Sequence, residues 1–144
     1  MAIQMSKGRM RKGVDYIAVG CWGIVTNEQG ELLLIKKKIN DYWERPGGNV
    51  EVGELLEKSI EREVREETGV KAKVASFVMF EQVLFGSHNE HWLAFCYHLE
   101  YVSGIAKNTE PKRHDDVRWF KLSHLPKKLS PHTKIAINKY LSIQ

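Results

Sequence analysis

The chain has 144 residues, of which 42% are hydrophobic and 28% charged, and its formal net charge is +4. This length and composition fit one globular domain and exclude fibrous and disordered classes. No apolar run approaches the ~18 residues of a membrane span, so a membrane partner is not expected. The positive charge suits an anionic small ligand and is too modest to favour a nucleic-acid partner.

The N-terminal residues 1–13 are basic and polar, and we predict a flexible tail followed by one domain over residues 14–144. The tail lacks the apolar core of a signal peptide. Cys21 and Cys96 lie in apolar, strand-like runs without a second cysteine or histidine at metal-ligand spacing, so buried free thiols are expected. These features together predict a cytoplasmic location.

The rest of the chain mixes strand-like and helix-like patterns. In the first half of the chain we predict a strand at Tyr16–Val25, a turn at Asn27–Gly30, a strand at Glu31–Lys38, a loop at Ile39–Pro46 and a helix at Leu55–Thr68. One or two strands follow within Val70–Phe85, then a turn at Gly86–Glu90 and a strand at His91–Val102. The chain closes with a polar loop at Ser103–Asp116, a short strand at Val117–Leu122 and a helix at Pro131–Leu141. The first two strands should form a hairpin. Gly69 should end the first helix, and Ser130 should cap the second. Because strands and helices do not alternate regularly, the class is α+β or a mixed-sheet α/β sandwich.

The segment from Gly47 to Val70 concentrates negative charge in this basic chain. It holds seven glutamates and three basic residues. On a helix with ~100° per residue, Glu67 lies near +40° and Glu66 near −60° when Glu63 is set at zero. Leu56, Ile60 and Val64 fall between about +20° and +100°, on the same side. The three carboxylates therefore share the packed side of the helix.

Clustered carboxylates on a packed face repel one another, and burial raises their cost. Arg62 is spaced to reach Glu66 but cannot neutralise three charges. A divalent cation with oxygen ligands, Mg²⁺ or Mn²⁺, is the best source of the missing charge, and a purely structural ion-pair cluster is the alternative. In contrast, Glu57 and Glu61 face the opposite side and should only be solvated.

The stretch before the helix, Pro46-Gly47-Gly48, permits close backbone approach and unusual dihedral angles. It could present a carbonyl to a cation, or it could be an ordinary turn. Its position six residues before Glu54, next to the carboxylate helix, favours the functional interpretation.

These residues resemble the Nudix box, in which a glycine, five residues and a glutamate are followed by seven residues and then Arg-Glu-apolar-any-Glu-Glu-any-Gly-apolar. The matching residues are Gly48, Glu54, Arg62, Glu63, Val64, Glu66, Glu67, Gly69 and Val70. The Trp119-Phe120 and Leu125-Pro126 pairs add support outside the box. The resemblance implies the Nudix fold, a single-domain α/β/α sandwich with a mixed sheet, across nearly the whole chain.

The resemblance also implies an enzyme that hydrolyses nucleoside diphosphates linked to another moiety, with Mg²⁺ or Mn²⁺ as cofactor. By resemblance, Glu63, Glu66 and Glu67 are metal ligands and the Gly47 carbonyl is an addition. Arg62 should orient the glutamates, and Glu54 should brace the junction between loop and helix. The general base is left open between Glu63, Glu66 and, outside the box, Glu110.

Features outside the box bear on the substrate. Among the basic residues near the box, Lys38 and Arg45 are candidates for contacts with the substrate, along with other members of the Lys36–Lys38 run. Trp92 and Phe95 are candidates for stacking on a base, although strand aromatics are more often core. ADP-ribose hydrolases of the family tend to carry a proline some way after the box, but here no proline occurs between Val70 and Glu110. Gly86–His88 likewise lacks the tyrosine of many dinucleoside polyphosphate hydrolases.

The short chain and the Asn108–Lys112 segment are similar to the small MutT-like nucleoside triphosphate pyrophosphatases of the family. We therefore expect hydrolysis of a nucleoside triphosphate, canonical or oxidised, to a monophosphate and pyrophosphate. The alternatives are ADP-ribose or a nucleotide sugar as substrate, an RNA-end pyrophosphohydrolase, or a non-catalytic nucleotide sensor. A small-molecule nucleotide is the expected partner, and self-association as a homodimer is left open.

Overall fold

The computed structural model describes residues 8–84 and 89–144. The elements in these ranges are β1 (Ala18–Thr26), β2 (Leu32–Lys37), β3 (Trp43–Glu44), β4 (Gly47–Asn49), α1 (Leu56–Thr68), β5 (Lys71–Leu84), β6 (His91–Ser103), β7 (His114–Phe120), a 3₁₀ turn (Leu122–His124) and α2 (Pro131–Ser142). The predicted turn at Gly86–Glu90 lies largely outside the described residues.

Strand β1 is the centre of a mixed sheet. It pairs in parallel with β6 from Ala18–Trp92 to Thr26–Glu100, and β6 pairs antiparallel with β5. On its other side β1 pairs with β4, whereas β2 pairs mainly with β7 and β3. The predicted hairpin of β1 and β2 is confirmed at its turn, where Thr26 pairs antiparallel with Leu32, but the pairing is short because β4 occupies the rest of that edge of β1.

Each face of the sheet is covered by one helix, as the alternation of side chains along the strands requires. Under α1 lies the first core cluster, formed by Cys21, Val25, Leu33, Ile35, Ile60, Val64, Val70, Ala72, Tyr97, Leu99 and Val117. Under α2 lies the second, formed by Ile24, Leu32, Leu34, Trp43, Val78, Cys96, Ala136, Ile137 and Tyr140. The predicted α/β/α sandwich is confirmed, and both cysteines are buried free thiols.

Two segments predicted as loops contain strand residues. Gly47–Asn49 was expected in a loop or turn, yet it forms β4 against β1, because pairing with a buried strand outweighs the low strand propensity of two glycines. The last strand begins at His114 rather than at Val117, since Lys37 and His114 pair although the sequence there is polar. This second shift places His114 inside the fold.

The predicted end of α1 at Gly69 and the predicted start of α2 at Ser130 are both confirmed. Gly69 closes α1 with φ 74°, and its N–H donates to the carbonyl of Arg65 at 2.9 Å. Oγ of Ser130 accepts a hydrogen bond from the N–H of Thr133 at the start of α2. On the outer side of α1 Glu57 is exposed, but Glu61 is not merely solvated as expected, because its Oε2 accepts a hydrogen bond from the N–H of Val74 on β5.

The predicted tail lies mostly outside the described residues, but its last part contacts the sheet. The carbonyl of Gly13 accepts a hydrogen bond from the N–H of His91 at 2.8 Å, and Nζ of Lys12 lies 5.2 Å from the ring centre of Trp92. Flexibility therefore stays a prediction for residues 1–7. Within the described ranges no helix combines the length and apolarity needed to cross a bilayer.

Candidate active site

Helix α1 buries one glutamate against the Gly-Gly strand. Ile60 and Val64 seat the helix in the core with no exposed surface, and Glu67, on the same side, is 3% exposed. Its Oε1 accepts a hydrogen bond from the N–H of Gly47 at 2.8 Å. Burial raises the pKa of Glu67 to about 8, against the lowering effects of Lys37 and the Gly47 N–H. The protein thus holds a carboxylate where its negative charge is costly.

Gly48 lets a second carboxylate approach the backbone of β4. A Cβ atom at Gly48 would lie 2.8 Å from the carboxyl carbon of Glu63, closer than side chains pack. Burial raises the pKa of Glu63 from its ordinary value, and Arg62 opposes that effect. The glycine of the box therefore sets the position of the Glu63 carboxylate.

The hydrogen bonds between β4 and β1 determine the direction of the amide and carbonyl of Gly47. Around it, Gly23 donates to the carbonyl of Pro46 and Val50 donates to the carbonyl of Val19, so β4 bonds to β1 through every second residue. The amide and carbonyl of Gly47 consequently face away from β1, and the amide reaches Glu67. This orientation is compatible with the predicted use of the Gly47 carbonyl as a cation ligand.

We expect Gly48→Ala and Gly47→Ala to have different effects. The added methyl group at Gly48 meets the movable Glu63 carboxyl, so kcat should fall roughly 10- to 100-fold with little change in Tm. At Gly47 the methyl group would lie 2.3 Å from the carbonyl oxygen of Cys21, which is fixed backbone, so Tm should fall. Melting curves and steady-state kinetics of both variants, measured together, check the distinction. Equal loss of Tm in both would contradict the assigned contact.

Arg62 joins the remaining box carboxylates. Its Nε donates to Oε2 of Glu54 at 2.7 Å and its Nη1 to Oε1 of Glu63 at 3.0 Å. Nη1 also lies 3.2 Å from Oε2 of Glu66, and Nη2 donates to the carbonyl of Asn49. Arg62 holds the pKa of Glu54 at about 2. These contacts are those expected if Arg62 orients the glutamates and Glu54 braces the junction between loop and helix. The importance of both residues for the reaction stays a prediction.

Glu66 occupies a different environment from the other two predicted ligands. Its side chain is 49% exposed, and Arg62 is its partner in the described ion pairs. Its backbone carbonyl accepts a hydrogen bond from Oγ1 of Thr109. The helical periodicity predicts Glu66 on the packed side with Glu63 and Glu67, and this is wrong, because Glu66 lies at the edge of that side, which is open to solvent. It can therefore move towards a ligand more freely than Glu63 or Glu67.

The segment before β7 is fastened to the end of α1. In addition to the Thr109 bond, the N–H of Lys107 donates to the carbonyl of Thr68 at 2.9 Å. The side chain of Asn108 donates to the carbonyl of His114 and accepts from the N–H of Glu110. These bonds hold Glu110 near the helix although the two are far apart in sequence.

His114, which the sequence analysis did not identify, lies between Glu67 and Glu110. It is 1% exposed, its Nε2 is 3.6 Å from Oε2 of Glu67, and its Nδ1 is 3.8 Å from Oε2 of Glu110. Burial, aided by Lys37 and Arg113, lowers the pKa of His114 to about 4, so the imidazole is neutral near pH 7. His114 follows Glu110 by four residues, but this spacing indicates nothing in a segment predicted to be a loop, so the sequence did not point to His114.

The residues fit a divalent cation. Ligand atoms of Glu67, Glu110 and His114 lie within 4.8 Å of one another. Oε2 of Glu110 and both ring nitrogens of His114 are buried without hydrogen-bond partners among the described residues. Buried polar atoms normally have hydrogen-bond partners, so these atoms are available to a ligand, although Nη1 of Arg113 lies 3.7 Å from Oε2 of Glu110. Glu63, Glu66 and Glu67 supply the oxygen ligands that Mg²⁺ and Mn²⁺ prefer.

A cleft of about 760 Å³ extends from this cluster across the α2 face of the sheet. Its lining residues include Glu63, Glu67, Lys37, Lys38, Lys112, Arg113, Arg45, Trp22 and Trp92. The volume is in the range of small-molecule sites. Trp22 was not predicted; its ring folds back over Gly20, where a Cβ would lie 2.4 Å from the ring, and meets Trp92 edge to face at 5.8 Å.

Three of the four predicted substrate residues line the cleft, and one does not. Lys38, Arg45 and Trp92 line it, but Phe95 packs on the α1-face cluster with its ring 6.1 Å from that of Phe80. Trp92 and Phe95 are three residues apart on a strand and so face opposite sides, and the structure therefore does not bring Phe95 to the cleft.

Among the lysines, the strand period also distinguishes two neighbours. Leu33 and Ile35 of β2 belong to the α1-face cluster, and Lys37 continues that row towards Glu67, whose pKa it lowers. Lys38, in contrast, is 3.6 Å from Asp115. Lys37 is therefore the lysine nearer the carboxylate cluster, and the same alternation could have identified it from the sequence.

Comparison with known proteins gives consistent matches over most of the chain. A family model described as the NUDIX domain matches residues 16–140. The chain is 34% identical to the ADP-ribose pyrophosphatase of Methanocaldococcus jannaschii, over 82% of this chain and 70% of that protein. It is 27% identical to the 8-oxo-dGDP phosphatase NUDT18 of Homo sapiens over 86% of this chain, which spans 38% of that longer relative. The crystal structure of a MutT NUDIX hydrolase from Burkholderia pseudomallei superposes with a TM-score of 0.78 at 33% identity, covering 86% of this chain and 98% of that one.

Proposed function

Because the chain belongs to the Nudix family of hydrolases, which act on pyrophosphate bonds, we propose that it hydrolyses nucleoside triphosphates to a nucleoside monophosphate and pyrophosphate. The observation that carries this proposal is one cleft that joins two carboxylates, Glu63 and Glu67, to the tryptophan pair Trp22 and Trp92. A nucleoside triphosphate needs the carboxylates to hold a cation at its phosphates and the tryptophan pair to contact its base.

Glu63, Glu66 and Glu67 would hold the divalent cation, with His114 next to Glu67. When bound, that cation neutralises phosphate oxygens at the scissile bond. Lys37 and Lys38 line the same end of the cleft and would contact the phosphates further from the cation. Arg62 keeps the carboxylate of Glu63 in place, since it bonds Glu63 and Glu54 at the same time.

Glu110 is the residue we propose as proton acceptor for the attacking water. It reaches the cluster from a loop fastened to α1, and its Oε2 is buried without a hydrogen-bond partner among the described residues. A carboxylate held in that way can accept a proton at short range. The water adds to phosphorus at the bond between the α and β phosphates, and the departing oxygen leaves with the other product.

We expect Glu110→Gln to lower kcat at least about tenfold with little change in Tm, because glutamine keeps the shape but not the basicity. Glu100→Gln, an exposed change on β6, serves as the matched control and should leave kcat unchanged. Steady-state kinetics of the three proteins provide the check. Wild-type turnover in Glu110→Gln would move the role of base to Glu63 or Glu66.

ADP-ribose is the second candidate substrate, because the Methanocaldococcus jannaschii relative carries the name ADP-ribose pyrophosphatase. The two candidates are distinguished by initial rates on the common ribonucleoside and deoxyribonucleoside triphosphates, 8-oxo-dGTP and ADP-ribose at equal concentration, with product identification. We expect a triphosphate to be fastest and to release pyrophosphate without orthophosphate. Faster turnover of ADP-ribose than of every triphosphate would contradict the proposal.

A further inference from the structure

One wall of the cleft pairs a buried cation with a carboxylate next to the tryptophans. Arg45 is 6% exposed, and its guanidinium carbon lies 5.8 Å from the ring centre of Trp22. Nη2 of Arg45 is 3.5 Å from Oε1 of Glu81, which lies on β5 opposite Ala94 of β6. Both residues line the cleft.

Arg45 is short of acceptors for its five N–H groups. Nη1 contacts Oγ1 of Thr133 at 3.4 Å and Nη2 contacts Glu81 at 3.5 Å, both longer than a good hydrogen bond. Nε is buried with no partner among the described residues. A guanidinium buried in this state would be stabilised by an acceptor supplied from the cleft.

Glu81 has capacity for donors. Its Oε1 receives both Arg45 and Nδ1 of His132, at 3.5 and 3.1 Å, while Oε2 has no hydrogen-bond partner among the described residues. A phosphate is a poor occupant here, because it would face the Glu81 carboxylate directly. A neutral ring that presents an acceptor to Arg45 and, beside it, donors to Glu81 matches this pair of side chains.

We propose that Arg45 and Glu81 recognise the hydrogen-bonding edge of a guanine base that rests against Trp22 and Trp92. Guanine presents O6, N1–H and the 2-amino group in sequence: Arg45 donates to O6, and Glu81 accepts from N1–H and the amino group. Adenine would bring its unprotonated N1 to the carboxylate and leave both groups unpaired. This inference rests on the proposed function in that it names the base of the same substrate.

The test measures binding rather than turnover, so that it is independent of which bond is hydrolysed. Tryptophan fluorescence and calorimetry would be recorded with guanosine, inosine and adenosine monophosphates on the wild-type protein, which requires no variant to fold. We expect guanosine monophosphate to bind at least about tenfold more tightly than adenosine monophosphate. Inosine monophosphate, which lacks the 2-amino group, should fall between them.

Glu81→Gln should lower the ratio of the guanosine to the adenosine affinity at least about tenfold, since an amide can both donate and accept. Glu100→Gln, the exposed control on β6, should leave the ratio unchanged. Equal affinities of the wild-type protein for the guanosine and adenosine nucleotides would overturn the inference. If the guanosine preference is present but no triphosphate is hydrolysed, the proposed function fails and the base recognition stands.

Discussion

Glu67→Gln should lower kcat on the order of 10²- to 10³-fold while the protein stays folded. The substitution removes the ligand charge, but the amide oxygen can still accept the hydrogen bond from Gly47 that now holds the carboxylate. Because burial raises the pKa of Glu67 to about 8, the neutral side chain should not lower the Tm and should raise it slightly. Steady-state kinetics and melting curves measure both effects.

The matched control lies on the same helix. Glu57→Gln changes an exposed carboxylate on the outer side of α1, so kcat should stay within about twofold of wild type. Glu61 is less suitable, because its carboxylate accepts a hydrogen bond from Val74. Similar losses of kcat in Glu67→Gln and Glu57→Gln would contradict a specific catalytic role for the buried Glu67.

Removal of divalent cations should abolish turnover, reducing it to background. Burial raises the pKa values of Glu63 and Glu67, and Oε2 of Glu110, which has no hydrogen bond within residues 8–84 and 89–144, lies near Glu67. Without a cation this cluster would repel the phosphates of the substrate.

The measurement compares rates after treatment with a chelator and after adding back Mg²⁺ or Mn²⁺. Circular dichroism of the chelated protein should be unchanged, because the core clusters under α1 and α2 do not depend on the cation. Full activity in chelator-treated protein would refute a metal-dependent reaction.

The box helix could be predicted from sequence because its period and its stop signal are local. The positions of Ile60 and Val64 fix which side packs, and Glu67 follows from them. The exposure of Glu66 was less predictable, since a residue at the edge of that side depends on what packs beside it.

The rest of the site depends on contacts between distant parts of the chain. Hydrogen bonds from Lys107 and Thr109 to the end of α1 bring Glu110 and His114 to Glu67, and no local pattern specifies them. Likewise β4 exists because β1 is beside it. The position of Phe95 is a different case, because the two-residue period of a strand is local and places it on the opposite side of the sheet from Trp92.

Binding of Mn²⁺ is the most direct test of the central claim that Glu67, together with Glu63 and Glu66, forms the cation site next to His114. Electron paramagnetic resonance of free Mn²⁺, titrated into wild type, Glu67→Gln and Glu57→Gln, reports binding without any substrate. We expect wild type and Glu57→Gln to bind Mn²⁺ with similar affinity and Glu67→Gln to bind it at least about tenfold more weakly. Unchanged Mn²⁺ affinity in Glu67→Gln would contradict the account.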